Sequence, residues 1–249
     1  MQRNESLIKR NFLKSLLPLL FLICVTETFG QLQSIEPYMS YSTVMSKRLD
    51  LKDAAAVGGG VKLKFNLYNN LSIGVNAGYS LYTIHQNDAI DKWGWFFWDA
   101  RYKNTIQSNL NAFPELSAKI GNIQKMDLIP VLIDLNYNID ISDKFTVAPV
   151  IGGGIYFYTR RFYITESWTK SFEEIDYQFS YNYRNIAPVK KGNPLVFFGG
   201  LLINYKIFEN FHLKTEINYV YIAETNGLGY NNFPYSDELT VKFGINIQY

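Results

Sequence analysis

The chain has 249 residues, with 24 Lys and Arg against 22 Asp and Glu, and its formal net charge is +2. Four of the basic and two of the acidic residues lie in positions 1–30, so residues 31–249 carry 20 charges of each sign. A neutral chain argues against a nucleic-acid partner, because such partners are held largely by an excess of Lys and Arg. No run after residue 30 approaches 18 apolar residues, which excludes a helical membrane protein.

Residues 1–30 have the pattern of a secretory signal peptide. Four basic residues precede an apolar run at Leu16–Val25, and Thr28-Phe29-Gly30 places small residues at positions −3 and −1 of a cleavage site. Such a segment is removed from the mature protein and takes no part in its fold. The single cysteine, Cys24, lies within it, so the predicted mature domain, residues 31–249, must fold without disulfides.

Eight later segments alternate between apolar and polar residues, which is the period of a β-strand. They are 35–46, 56–67, 71–85, 126–139, 145–159, 194–207, 211–223 and 237–249. Three connections, 68–70, 140–144 and 208–210, are short and contain Asn or Asp, whereas the others are long. Alternating short and long connections predict an all-β fold, an up-and-down antiparallel barrel of eight strands.

The two faces of these strands differ in charge. The more apolar face, represented by Val61, Leu63 and Phe65, carries no charge, and a charge facing lipid would cost about 2–4 kcal/mol at mid-membrane. We therefore predict that the apolar face meets lipid; with the faces reversed, the chain would be a soluble barrel carrying a ligand. The charged face should form a paired polar network in a narrow lumen. Its members are Glu36, Lys62, Lys64, Asp134, Lys206, Lys214, Glu216 and Lys242.

The strand count, the asymmetric connections and the alternating C-terminal segment Leu239–Tyr249 resemble those of the small outer-membrane β-barrels of Gram-negative bacteria. This group contains outer-membrane protein X and the barrel of outer-membrane protein A. The resemblance implies a monomeric transmembrane barrel in the cell outer membrane, surrounded by lipid, with periplasmic turns and extracellular loops. It also implies a C-terminal signal for the barrel-assembly machinery, formed by Phe243, Ile245, Ile247 and Tyr249.

Proline and glycine mark special positions in the predicted strands. Pro130 and Pro149 lack the N–H that a ladder needs, so each predicts a β-bulge. The glycine runs 58–60, 152–154 and 199–200 have no phosphate-binding motif after them and are predicted to leave room for inward tyrosines. Those tyrosines are Tyr38, Tyr82, Tyr156 and Tyr158.

The sequence offers little for catalysis. The two histidines, His85 and His212, have no metal-ligand spacing, so we predict no metal, no cofactor and no catalytic residue. His85 lies near Asp88 and Asp91, which keeps a lipid-modifying hydrolase as an alternative, but no serine is well placed beside it. A non-enzymatic protein is the favoured interpretation.

The long connections hold the candidate interaction residues. Asp91–Lys103 contains three Trp and two Phe, which could bind a partner or a membrane surface, or fold over the barrel mouth. Residues 174–186 alternate and predict an additional strand, paired with 160–168 as a hairpin above the membrane. Alternatively, each long loop hides a strand and the barrel has ten. The candidate partner-binding residues are Trp93, Trp95, Phe96, Phe97, Trp98, Tyr177, Phe179, Tyr181 and Tyr183.

We therefore predict a structural or surface-interaction protein of the outer membrane, whose loops 86–125 and 160–193 contact an extracellular protein or surface. The alternative is a small channel or carrier for apolar solutes, with the inward tyrosines and lysines lining its path.

Overall fold

The computed structural model describes residues 32–45, 51–86, 88–223 and 233–248, so the predicted signal peptide and Tyr249 lie outside the described residues. The strands are β1 Leu32–Val44, β2 Leu51–Tyr68, β3 Leu71–Gln86, β4 Leu116–Tyr137, β5 Ile139–Ser142, β6 Phe145–Phe172, β7 Tyr177–Ile186, β8 Lys190–Gly192, β9 Leu195–Phe208, β10 Phe211–Ala223 and β11 Asp237–Gln248. The helices are α1 Ala89–Lys92, α2 Phe96–Ala100 and α3 Gln107–Ala112, with a π-helix at Arg101–Ile106 and a 3-10 turn at Glu173–Ile175. Within the described ranges, no helix is both long and apolar enough to cross a membrane.

Eight antiparallel strands close into a ring in the order β1, β2, β3, β4, β6, β9, β10, β11. The last pairing joins β11 to β1, from Ser34 opposite Gln248 to Val44 opposite Glu238. Closure satisfies the backbone groups that an open edge would leave unpaired. The predicted eight-stranded barrel is confirmed, and the ten-stranded alternative is wrong.

Two strands extend furthest beyond the prediction, because they continue above the barrel; β2 also begins earlier, at Leu51 rather than at 56. β4 begins at Leu116 rather than at 126, and β6 ends at Phe172 rather than at 159. In this region β6 pairs with β4 on one side and with β7 on the other. We call this three-stranded sheet, residues 116–125, 161–172 and 177–186, the platform. The predicted hairpin between 160–168 and 174–186 is confirmed.

The expected bulges at the two prolines are wrong. The β3–β4 register is the same on both sides of Pro130, and the β6–β9 register runs unbroken through Pro149. Each missing N–H instead leaves a gap in one ladder. The β3–β4 pairing skips the positions opposite Pro130, and the pairing of β6 with β4 and β5 skips Ala148 and Pro149.

Candidate functional site

The outer wall of the barrel is apolar, and the charges lie inside. Outward residues of β4 such as Ile129, Val131 and Ile133 are exposed, whereas seven of the eight predicted luminal charges are buried. The eighth, Lys206, is half-buried and lines a polar cavity of about 530 Å³ at the periplasmic mouth, together with His212. A wall of this kind suits lipid, since a soluble barrel would place its charged side chains outward.

Glu216 is the centre of the luminal charge network. Lys214 Nζ and Lys242 Nζ each lie 2.9 Å from its carboxylate, and Lys62 Nζ lies 3.6 Å away. Lys62 also pairs with Asp134 at 2.7 Å, and Lys214 also pairs with Glu36. Because five strands, β1, β2, β4, β10 and β11, contribute to this network, the middle of the lumen is filled by mutually neutralising side chains.

A second layer, nearer the long connections, surrounds Glu238, which no sequence pattern indicated. Tyr156 and Tyr235 each donate a hydrogen bond of 2.8 Å to this buried carboxylate, and Tyr82 donates a third. Burial and the adjacent Glu238 carboxylate raise the pKa of the Tyr235 phenol well above its ordinary value, so it remains a donor. The three tyrosines are far apart in the sequence, and they come together only when the ring of strands closes. No local sequence pattern therefore indicates this layer.

Tyr38 shows why glycine is needed in the wall. A Cβ at Gly60 would lie 2.4 Å from the Tyr38 hydroxyl, and one at Gly78 would lie 2.8 Å from it. The hydroxyl donates to Asn76 Oδ1 at 2.6 Å. The prediction that glycines make room for an inward tyrosine is therefore confirmed for Tyr38.

A third layer closes the top of the lumen around Arg160, which is fully buried. Its Nε donates to Gln124 Oε1 at 2.9 Å, and Gln124 Nε2 donates to Gln86 Oε1 at 2.8 Å. The guanidinium lies 5.7 Å from the ring centroid of Trp93, which stacks on Phe162 at 4.4 Å. The barrel interior is thus covered by an aromatic cap.

The cap, residues 88–112, divides the predicted tryptophan-rich cluster in two. Trp93 and Trp98 are buried in an apolar cluster with Phe162, Ile164 and Trp168 of β6. Trp95 is half-buried, while Phe96 and Phe97 are exposed, to 84% and 54%. The buried tryptophans fold over the barrel mouth, which was one of the two alternatives for this segment. The two exposed phenylalanines remain available to a partner.

Glu166 ties the cap to the platform. This fully buried carboxylate accepts a hydrogen bond of 2.7 Å from Arg101 Nη1 and one of 2.9 Å from Trp168 Nε1, and Asn185 of β7 donates a third. Since its donors come from the π-helix, β6 and β7, the three segments are held in one arrangement.

His85 lies on the outward, exposed face of β3, opposite Asp53 of β2. It makes no hydrogen bond with a described residue, and the described chain contains no cluster of three His, Cys, Asp or Glu side chains able to hold a metal. The carboxylates considered beside it in the sequence, Asp88 and Asp91, belong to the cap segment instead.

The three filled layers lead to an expectation for transport. In a planar lipid bilayer the protein should produce no ion-conductance steps, because ion pairs, tyrosines and the arginine layer fill the lumen. Single-channel recording tests this, with a general porin as the positive control. Regular, reproducible openings would instead support the channel alternative.

The platform presents four aromatic side chains on one side of β7. Tyr177, Phe179 and Tyr183 are about half exposed, and Tyr181 stacks on Trp168 with ring centroids 6.4 Å apart. Neighbouring rings touch along the strand, at 5.7 Å between Phe179 and Tyr181. All four predicted residues of this strand therefore lie together on one face of the platform.

No family model matches the chain, and no curated protein does. Solved structures of similar architecture include Neisserial surface protein A, with 11% identity and a TM-score of 0.44 over 87% of this chain and 96% of that one. Another is Ail, the attachment invasion locus protein of Yersinia pestis, solved with the heparin analogue sucrose octasulfate, with 9% identity and a TM-score of 0.40 over 88% and 99%. The N-terminal β-barrel domain of Pseudomonas aeruginosa OprF has 10% identity and a TM-score of 0.36 over 88% and 100%. With its closed ring of eight strands, apolar wall and buried charges, this chain has the fold of an eight-stranded transmembrane β-barrel.

Proposed function

We propose that this protein is a non-enzymatic surface-interaction protein, in which the sealed barrel anchors the platform and the platform binds an extracellular protein by strand addition at β7. The observation that supports the proposal is the unpaired outer edge of β7, which among the described residues pairs only with β6. An extended segment of a partner can add to such an edge through main-chain hydrogen bonds.

The ladder identifies which groups are free. Ala187 N–H donates to Phe162 C=O at 3.0 Å, and the register places these two residues directly opposite each other. Bonded and non-bonded pairs alternate in an antiparallel ladder. The even-numbered residues of β7 consequently direct their N–H and C=O groups away from β6. They are Gln178, Ser180, Asn182, Arg184 and Ile186.

The exposed aromatics would give such an edge its selectivity. Side chains of an added strand alternate across the sheet, so half of them would pack beside Tyr177, Phe179 and Tyr183. Exposed aromatic side chains are also the type that most often dominates the energy of protein interfaces.

The double variant Ser180→Pro/Asn182→Pro tests the proposal. It removes two outward N–H donors without breaking a bond to β6, and an edge strand tolerates proline. With net contributions of about 1 kcal/mol per hydrogen bond, we expect affinity for a partner to fall roughly thirtyfold. Flow cytometry of bacteria displaying the protein, with a panel of labelled extracellular proteins, measures the binding.

The matched control is Ser180→Ala/Asn182→Ala, which changes the same side chains but keeps both N–H groups. It should bind like the unmodified protein. Equal binding by the proline and alanine variants would contradict strand addition, and no binding above vector-only cells across the panel would contradict the surface-interaction role.

A further inference from the structure

The outward face of the platform base carries a cluster of basic side chains that neither the anchor nor the β7 edge uses. Lys125 of β4 lies directly opposite Arg161 of β6, and Lys191 of β8 lies opposite Thr159, one row nearer the membrane. The lysines are exposed and Arg161 is partly exposed. We call Lys125, Arg161 and Lys191 the outer basic patch; Lys119 and Arg184 extend the same face upward.

The patch lies at the upper border of the apolar wall. Ile129 and Phe157 form the uppermost row of the continuous apolar wall, and the outward positions that follow are Asp127 and Thr159, then Lys125 and Arg161. One further pair, Ile123 and Tyr163, lies above the basic row. From Ile129 to Tyr137 the wall measures roughly 20–25 Å along the membrane normal for tilted strands, which is close to the hydrocarbon thickness that such barrels span. The patch is therefore at the level of the outer-leaflet headgroups.

The protein supplies too little negative charge for this patch. On the outward face of the described residues of β4, β6, β7 and β8, the one acidic side chain is Asp127, which already pairs with Arg161 and accepts a 2.5 Å hydrogen bond from Tyr79. Lys125 and Lys191 form no ion pair with any residue in the described ranges. Like charges placed directly opposite, as Lys125 and Arg161 are, destabilise a sheet. An external anion would offset this repulsion.

We propose that the outer basic patch binds the phosphorylated headgroup of an outer-leaflet lipid, with the acyl chains lying along the apolar wall below it. The two lysines would act as point charges on the phosphate, and the guanidinium of Arg161 has donors left after its contact with Asp127. One row, Asp127 and Thr159, separates the apolar wall at Ile129 and Phe157 from Lys125 and Arg161. Basic side chains this close above an apolar wall match an amphipathic lipid better than a soluble anion. The proposal depends on placement in the outer membrane and not on strand addition.

Native mass spectrometry of the protein refolded in detergent tests the site, with lipid A and its enzymatically dephosphorylated form as the probes. Each basic side chain near an anionic headgroup contributes about 1 kcal/mol, which is a factor of about five. We expect Lys125→Gln/Lys191→Gln to bind lipid A at least tenfold more weakly than the unmodified protein. The control Lys103→Gln/Lys144→Gln removes the same charge from exposed positions in the cap and the periplasmic turn and should bind normally.

Three outcomes would overturn the proposal. The first is equal affinity of the unmodified protein for the two forms of the lipid, and the second is an equal loss of affinity in the control. The third is complete displacement of lipid A by millimolar inorganic phosphate, which would identify a site for a free anion. Heat-dependent gel mobility verifies that every variant is folded, and retained lipid binding by Ser180→Pro/Asn182→Pro would separate this site from the β7 edge.

Discussion

Replacing Glu216 with glutamine is expected to lower the free energy of unfolding of the barrel by about 3–5 kcal/mol. The Glu216 carboxylate is the counter-charge for Lys242, whose Nζ lies 2.9 Å away in the buried lumen, and it also contacts Lys214. The amide keeps the volume of the side chain but removes its charge, so the Lys242 ammonium remains buried without a neutralising partner. Equilibrium denaturation in detergent micelles, followed by tryptophan fluorescence, measures the loss.

Two further variants separate charge from shape. Glu209→Gln makes the same chemical change in the exposed turn between β9 and β10 and should alter stability by less than about 0.5 kcal/mol. Glu216→Gln/Lys242→Met removes both charges and should recover at least half of the lost stability. A double variant as unstable as Glu216→Gln alone would show that uncompensated charge on Lys242 is not the cause.

Replacing Trp98 with alanine is expected to open the cap while the barrel remains folded. Trp98 is 1% exposed, in the cluster that joins the cap to Phe162 and Trp168, and removing a buried Trp side chain costs about 3–5 kcal/mol. This cluster lies above the ring of eight strands, so its loss should not disturb barrel closure. Limited proteolysis should cut within residues 88–112 at least tenfold faster, with the heat-dependent gel mobility of the barrel unchanged.

Phe96→Ala is the matched control, because Phe96 belongs to the same segment but is 84% exposed. Its proteolysis rate should equal that of the unmodified protein, since little contact is lost. Similar protection in both variants would mean that Trp98 does not hold the cap closed. A reduction in partner binding by Phe96→Ala without faster proteolysis would instead identify the exposed side of the cap as part of the interaction surface.

Much of the barrel could be predicted because lipid imposes a simple rule on each strand. In β10, Lys214 and Glu216 fall on one face and Leu213, Thr215 and Ile217 on the other, so the period of two directly assigns inside and outside. The short turns and the extra hairpin strand were predictable for the same local reason, since Asn and Asp mark the turns and alternation marks the strand.

The sequence did not reveal where β4 begins and where β6 ends, because the apolar face changes sides above the membrane. In β4, Ile129 and Val131 face outward to lipid, but Leu116 and Ile120 face inward to the cap, where water surrounds the outer side. When the apolar residues of a strand switch from outward to inward positions, the period of two is interrupted. A search for one continuous alternating segment therefore stops at that point. The mistaken bulges at Pro130 and Pro149 have a related cause, since a ladder gap and a bulge are indistinguishable in sequence.

By itself the sequence determined the strand period, the inward placement of the charges and the order of short and long connections, because each follows from neighbours in the chain and from the requirement that lipid meet no charge. Only the tertiary structure decided which long-range groups meet. Tyr82, Tyr156 and Tyr235 converge on Glu238, and Trp93 and Trp98 turn into the mouth instead of toward a partner. These contacts depend on ring closure and on register between distant strands, which no local pattern records.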